Sequence, residues 1–197
     1  MEFYQIKDLN KSYGYHTVFT NFTCKIIKNK RNFLIGYSGS GKSTLINLIL
    51  GIDEYKGSIN IEKNTKFSVV FQENRLLEYL TVYQNLNLVQ KSRLDRNLVL
   101  NELFKIGLED ILDKKVNQLS GGMKRRVAIL RCLLVDADIY ILDEPFKELD
   151  SESYVLARNY FVNKTQGKTV IMTSHNKDEI SILSDNSIVI SKNEYVN

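Results

Sequence analysis

One stretch constrains this chain more than any other. Gly36-Tyr-Ser-Gly-Ser-Gly-Lys-Ser-Thr44 lies between a short apolar run, Asn32-Phe-Leu-Ile35, and a segment, Ser43–Leu50, with apolar residues on one helical face and a stop at Gly51. A strand entering a glycine loop that opens a helix is an arrangement that cradles phosphate. Glycines let backbone N–H groups converge without a Cβ in the way, and the helix start adds partial positive charge. The candidate nucleotide-binding residues are therefore Gly36, Tyr37, Ser38, Gly39, Ser40, Gly41, Lys42, Ser43 and Thr44. The spacing Gly36-x4-Gly41-Lys42-Ser43 puts Lys42 on the β- and γ-phosphates and the Ser43 hydroxyl on Mg²⁺. By itself the loop leaves the class open, because several kinds of nucleotide-binding protein share it.

The flanking pattern sets the fold class. Residues 2–9 and 18–28 predict strands around a turn at Tyr13-Gly-Tyr, and 57–62 and 66–71 predict two more. From about Arg75 to Lys115 the chain is Leu- and Asn-rich with helical spacing and a break at Gly107, so a helical insert is expected. A helix then follows Ser120-Gly-Gly, and strands at 138–142, 168–173 and 187–191 alternate with helices at 151–165 and 176–184. Strands alternating with helices predict an α/β fold with a mainly parallel sheet covered on both faces.

Composition narrows the partners. A hydrophobic fraction of 43% and a charged fraction of 25% suit one globular domain. The net charge of +4 is mild and spread, and clusters such as Lys28-Asn-Lys-Arg31 are short, so no nucleic-acid partner is expected. Cys24 and Cys132 lie far apart in no metal-ligand spacing and read as buried free thiols. The N-terminus lacks a signal-peptide pattern, and no apolar stretch is long enough to span a bilayer. A soluble protein is expected, held at any membrane by a partner.

A second motif adds chemistry. Asp138-Ile-Tyr-Ile-Leu-Asp143-Glu144 is an apolar strand with two acids at its C-terminal end, where open α/β sheets bind ligands. Asp143 is placed to hold Mg²⁺, and Glu144 to accept a proton from an attacking water.

Residues 119–126 bring in a resemblance. Leu119-Ser120-Gly121-Gly122, then Met123-Lys-Arg-Arg126, a helix and the carboxylate strand resemble the signature region of ATP-binding cassette (ABC) proteins. The order of the other motifs agrees: phosphate loop, Phe71-Gln72, signature, carboxylate strand, Glu148-Leu-Asp150, and a late Thr173-Ser-His175. The resemblance covers essentially the whole chain. It implies the ABC ATPase form of the P-loop NTPase fold, with a parallel core, a small antiparallel β part and a helical sub-domain. In one domain over 1–197, residues 1–72 and 136–197 would form the ATP-binding core and about 73–135 the helical part. It also implies roles. Tyr13 would stack on adenine, with Tyr15 as the nearby competitor. Gln72 would touch Mg²⁺ or the water, and His175 would hydrogen-bond the γ-phosphate. Leu119, Ser120, Gly121, Gly122 and Met123 would complete the site of a second subunit, and Asp150 would face that subunit's phosphate loop. His16, without such context, reads as a surface residue. The catalytic set implied is Lys42, Gln72, Glu144 and His175, the metal set Ser43, Gln72 and Asp143, and the cofactors ATP and Mg²⁺.

The implied function is that of the ATPase subunit of a membrane transporter. ATP would close a head-to-tail dimer, a homodimer or a pair of ABC subunits, and hydrolysis would reopen it. Permease subunits and a substrate-binding protein are the other expected partners, with the chain on the cytoplasmic face of the membrane. Phe71-Gln-Glu-Asn-Arg-Leu-Leu-Glu-Tyr-Leu-Thr-Val-Tyr-Gln-Asn85 and Asp143-Glu-Pro-Phe146 resemble the ATPases of nitrate, sulfonate and taurine importers, which favours import. An exporter ATPase and a soluble ABC protein outside transport are the alternatives. A GTPase lacks support, because no Asn-Lys-x-Asp base-reading motif is present. The chain departs from the family at Met123 and Arg125, where Gln is common, and at Lys147, where a small residue is common. Leu76, Leu77, Tyr79 and Leu80 are candidate anchors for a permease helix.

Overall fold

The computed structural model describes residues 2–191. Strands β1 (Phe3–Tyr13), β2 (His16–Ile27) and β3 (Arg31–Ile35) lead into helix α1 (Lys42–Ile49). Strands β4 (Lys56–Asn60) and β5 (Phe67–Val70) follow, then helices α2 (Val82–Asn87), α3 (Arg96–Lys105) and α4 (Gly121–Leu133). The chain continues through β6 (Ile139–Asp143), α5 (Ser151–Lys164), β7 (Thr169–Thr173), α6 (Lys177–Leu183) and β8 (Asn186–Val189). The five-stranded sheet β5-β6-β7-β3-β8 is parallel throughout, and the three-stranded sheet β2-β1-β4 is antiparallel.

The central strands are apolar on both faces because both faces are covered. In β6, Ile139 and Ile141 face a cluster with Leu45, Ile46 and Leu48 of α1 and with Tyr4, Ile6 and Leu9 of β1. Tyr140 and Leu142 face the other side, toward Val127, Leu130 and Leu133 of α4 and Phe161 of α5. Each such side chain contributes about 1.5–3 kcal/mol when fully buried. The antiparallel sheet therefore lies over α1, while α4 and α5 back the opposite face.

Three sequence expectations change in detail. β1 continues to Tyr13 and β2 begins at His16, so the two-residue turn Gly14-Tyr15 is tighter than expected. The stretches 57–62 and 66–71 part company: β4 joins the antiparallel sheet, and β5 forms an edge of the parallel one. The insert is also less helical than its spacing suggests. Asn87 Oδ1 accepts from the Leu94 N–H at 2.8 Å and Asp95 caps α3, so local side chains satisfy the backbone between α2 and α3. The buried Asn85 does the same upstream, donating to Leu77 O and Thr81 O and accepting from the Leu77 N–H.

Strands β6, β7 and β3 are neighbours, with Asp143 paired to Thr173 and Thr173 to Leu34. Their C-terminal ends thus present the carboxylates, the His175 segment and the phosphate loop side by side.

Candidate nucleotide site

The loop after β3 is held by close packing. A Cβ on Gly36 would lie 2.4 Å from Ser40 Oγ and 2.5 Å from Ile190 O. Gly41 has φ +105°, and a Cβ there would meet Val18 Cγ1 at 2.7 Å, so both positions exclude a side chain. Gly41 gives α1 no side-chain cap, leaving the first N–H groups of the helix open to an anion. Ser40 Oγ is buried without a hydrogen-bond partner. Lys42 folds over the loop, donating to Gly36 O at 2.8 Å and Tyr37 O at 2.9 Å. Burial lowers its pKa, opposed by Glu144 and Asp143.

The acids lie beside this loop and diverge. Asp143 Oδ2 accepts from the Ser43 hydroxyl at 2.8 Å, and its Oδ1 accepts from the Thr173 hydroxyl at 2.6 Å. Glu144 takes a left-handed backbone, φ +49°, and turns away. Its Oε1 lies 2.7 Å from His175 Nε2, and its Oε2 is 3.1 Å from Lys147 Nζ. Such a backbone costs on the order of 1–3 kcal/mol and needs outside support. Thr173 Oγ1 supplies part of it by accepting from the Glu144 N–H at 2.8 Å.

Arg125 supplies the rest, and the sequence marked it only as a departure from family habit. Its buried guanidinium donates to the carbonyls of Asp143, Glu144, Pro145, Phe71 and Gln72, and to Asn74 Oδ1. One side chain of α4 thus fixes both the acid pair and the segment carrying Gln72. Burial lowers its pKa, opposed by Asp143, Glu148 and Glu144. The signal was available: an arginine on the apolar face of a core helix needs acceptors.

A cleft of about 310 Å³ gathers Tyr13, His16, Ser38, Gly39, Gly41, Lys42, Ser43, Thr44, Gln72, Asp143, Glu144 and His175. Between the two candidate tyrosines, Tyr13 lines it and Tyr15 does not. The Tyr13 hydroxyl donates to Asp53 Oδ2 at 2.5 Å, a bond that raises its pKa, and Lys11 Nζ sits 4.4 Å from its ring centroid. Asp53 carried no sequence signal. His16 is exposed, as expected, yet it also lines the cleft.

Leu119–Met123 and Asp150 are not part of this cleft. Ser120 caps α4 by accepting from the Met123 N–H at 3.3 Å, and Leu119 is buried. A Cβ on Gly121 would meet nothing within 4 Å. Asp150 caps α5 through the Ser153 N–H at 2.9 Å, and its backbone and side-chain bonds to Ser153 lower its pKa.

A sequence profile described as "ABC transporter" matches residues 19–147. The chain belongs to the ABC transporter family. It is an ATP-binding ATPase subunit within that family. The chain is 34% identical to a thiamine import ATP-binding protein of Photorhabdus laumondii, over 92% of this chain and 84% of that protein. It is 32% identical to a bicarbonate transport ATP-binding protein of Synechocystis sp., over 99% of this chain and 76% of that protein. An aliphatic sulfonates import ATP-binding protein of Pseudomonas savastanoi is 33% identical over 91% of the chain and 77% of its own length. Among solved structures, an ATP-binding subunit of an ABC transporter superposes with a TM-score of 0.85 at 25% identity, covering 96% of this chain and 86% of that one. The cassette therefore has the ABC ATPase fold, with its parallel sheet, antiparallel sheet and helices.

Proposed function

We propose that this cassette hydrolyses ATP at two composite sites of a head-to-tail dimer and drives import through membrane permease subunits. The observation that carries the reading is the split of its motifs. The phosphate loop, Gln72, Asp143, Glu144 and His175 share one cleft, whereas Ser120 and Gly122 lie outside it. A second copy, turned head to tail, would bring its signature residues to the open side of the cleft.

Within that site Lys42 exchanges the Gly36 and Tyr37 carbonyls for phosphate oxygens. Ser43 and Asp143, already 2.8 Å apart, form a pair of hard oxygen donors that fits Mg²⁺, with Gln72 from the facing segment. No cluster of three or more His, Cys, Asp or Glu suited to a metal occurs among the described residues, in keeping with an ion held mainly by substrate phosphates and water. Bound there, Mg²⁺ neutralises charge on the β- and γ-phosphates. Glu144 takes the proton of the attacking water, His175 hydrogen-bonds the γ-phosphate, and Ser120 of the second copy spreads the developing charge. Tyr13 stacks on adenine, and Asp150 faces the second copy.

Residues 1–72 and 136–197 are assigned to the ATP-binding core and 73–135 to the helical sub-domain; residues 1 and 192–197 lie outside the described part. The helical part carries the permease surface. Leu77 and Tyr79 are exposed there, Leu76 and Leu80 half-buried, and a groove of about 680 Å³ runs from Leu80 to Asp113. No helix among the described residues is long and apolar enough to cross a membrane, so docking to permeases at the cytoplasmic face supplies the membrane link. Relatives named for the import of thiamine and aliphatic sulfonates support import, with a substrate-binding protein as a further partner. The test is ATPase activity of purified protein with Ser120→Arg beside it. Ser120→Arg is expected to bind nucleotide yet not hydrolyse it, and full hydrolysis by that variant would reject the shared site.

A further inference from the structure

Glu144 and His175 line two cavities at once. One is the phosphate cleft. The other, about 490 Å³, is bounded by Phe146, Lys147, Tyr154, Asn176 and Glu179 and includes none of the phosphate loop. Lys147 lines only this second cavity. Its ammonium stands 3.1 Å from Glu144 Oε2, an oxygen that is buried and receives no aligned hydrogen bond, while Oε1 lies 2.7 Å from His175 Nε2.

We propose that Lys147 is a positioning residue that parks the catalytic carboxylate toward the second cavity until the loop that carries it moves. This rests on Glu144 being the base. A contact made by charge, without an aligned hydrogen bond, is readily given up when another group competes for the oxygen. The Glu144 side chain is 12% exposed and that of Lys147 is 52% exposed. The carboxylate is thus enclosed, while its holder stands in solvent where a docking partner can reach it. Three residues on is Asp150, the residue proposed to face the second copy. Docking that draws this loop away takes Lys147 with it and frees Oε2 to turn to the water beside the γ-phosphate. Lys147 thus acts as a latch that ties the base to the interface loop.

The test uses Lys147→Met, which keeps the length of the side chain and removes its charge, with Lys147→Arg as the conservative variant. An ion pair whose cation stands in solvent biases an equilibrium by up to about fivefold, so Lys147→Met is expected to raise basal ATP turnover about 2–5-fold with an unchanged KM for ATP. Lys147→Arg should return it toward wild type. An independent readout needs no nucleotide. The chain has two histidines, so the side-chain ¹⁵N spectrum carries two imidazoles, and His175→Ala assigns them. The His175 resonances should move in Lys147→Met and return in Lys147→Arg. Turnover that stays level or falls in Lys147→Met, or unmoved His175 resonances, would overturn the latch. Glu144→Gln separates the two ideas: if it is inactive while Lys147→Met matches wild type, only the latch fails. If Glu144→Gln turns over normally, the base assignment fails and the latch with it.

Discussion

Asp143 and Glu144 are adjacent in sequence but serve different neighbours, because the backbone turns left-handed at Glu144. Asp143 stays with Ser43 and Thr173 on the phosphate side, and Glu144 reaches His175. We predict that Glu144→Gln retains ATP binding but slows turnover by at least ~10²-fold, as expected for loss of a general base; single-turnover kinetics checks this. The strained turn depends on Arg125, so Arg125→Met should leave several buried carbonyls without donors. Its expected cost is about 3 kcal/mol, read from denaturant unfolding, together with slower turnover. At this scale the sequence singled out Lys42, Asp143 and Glu144 by spacing and by the strands before them, and His175 through the family resemblance. It did not show what orients them. Thr173, Arg125 and Asp53 act through contacts between residues far apart in the chain: Arg125 reaches carbonyls 18–20 positions downstream and 53–54 upstream.

Elements are joined by a few buried polar ties as well as by the apolar core. Glu102 on α3 accepts from Tyr160 on α5 and pairs with Lys105 and Lys164 at 2.8 Å each. Burial pushes its carboxyl up, but the bonds from Lys105, Lys164 and Tyr160 outweigh it and hold the pKa at about 2. The folded value lies below the ordinary 4.5, so the tie stabilises fully above that pH and is lost as pH falls from about 4.5 to about 2. Glu102→Gln should therefore lower Tm at pH 7, and the difference from wild type should shrink across that acid window, which thermal melts over a pH series would show. The helical insert was the least legible element. Its Leu-rich spacing suggested a helical insert broken at Gly107, but Asn85, Asn87 and Asp95 bond the nearby backbone and divide the stretch before it into short helices as well. The central strands β3, β6 and β7 of the parallel sheet were legible to within a residue, because strands buried on both faces read as largely apolar runs.

At the scale of the molecule, the parallel sheet places the phosphate loop, the acids and His175 along one edge, and the signature residues lie elsewhere on the same chain. No spacing within one chain reveals whether two remote motifs would meet between two copies; the resemblance supplied that idea, and the separation of the motifs is compatible with it. The proposed dimer makes hydrolysis depend on concentration, so specific activity should fall on dilution in the absence of permease. Complementation between two inactive variants tests the central claim most directly. Lys42→Ala spoils the phosphate loop of its own chain, and Ser120→Arg spoils the signature it offers to a partner. A mixed dimer retains one intact site, made of the Ser120→Arg chain's loop and the Lys42→Ala chain's signature. Random pairing in a two-fold dimer restores up to roughly a quarter of wild-type activity. That recovery on mixing is the result the shared site predicts; a mixture as inactive as its two components would contradict it.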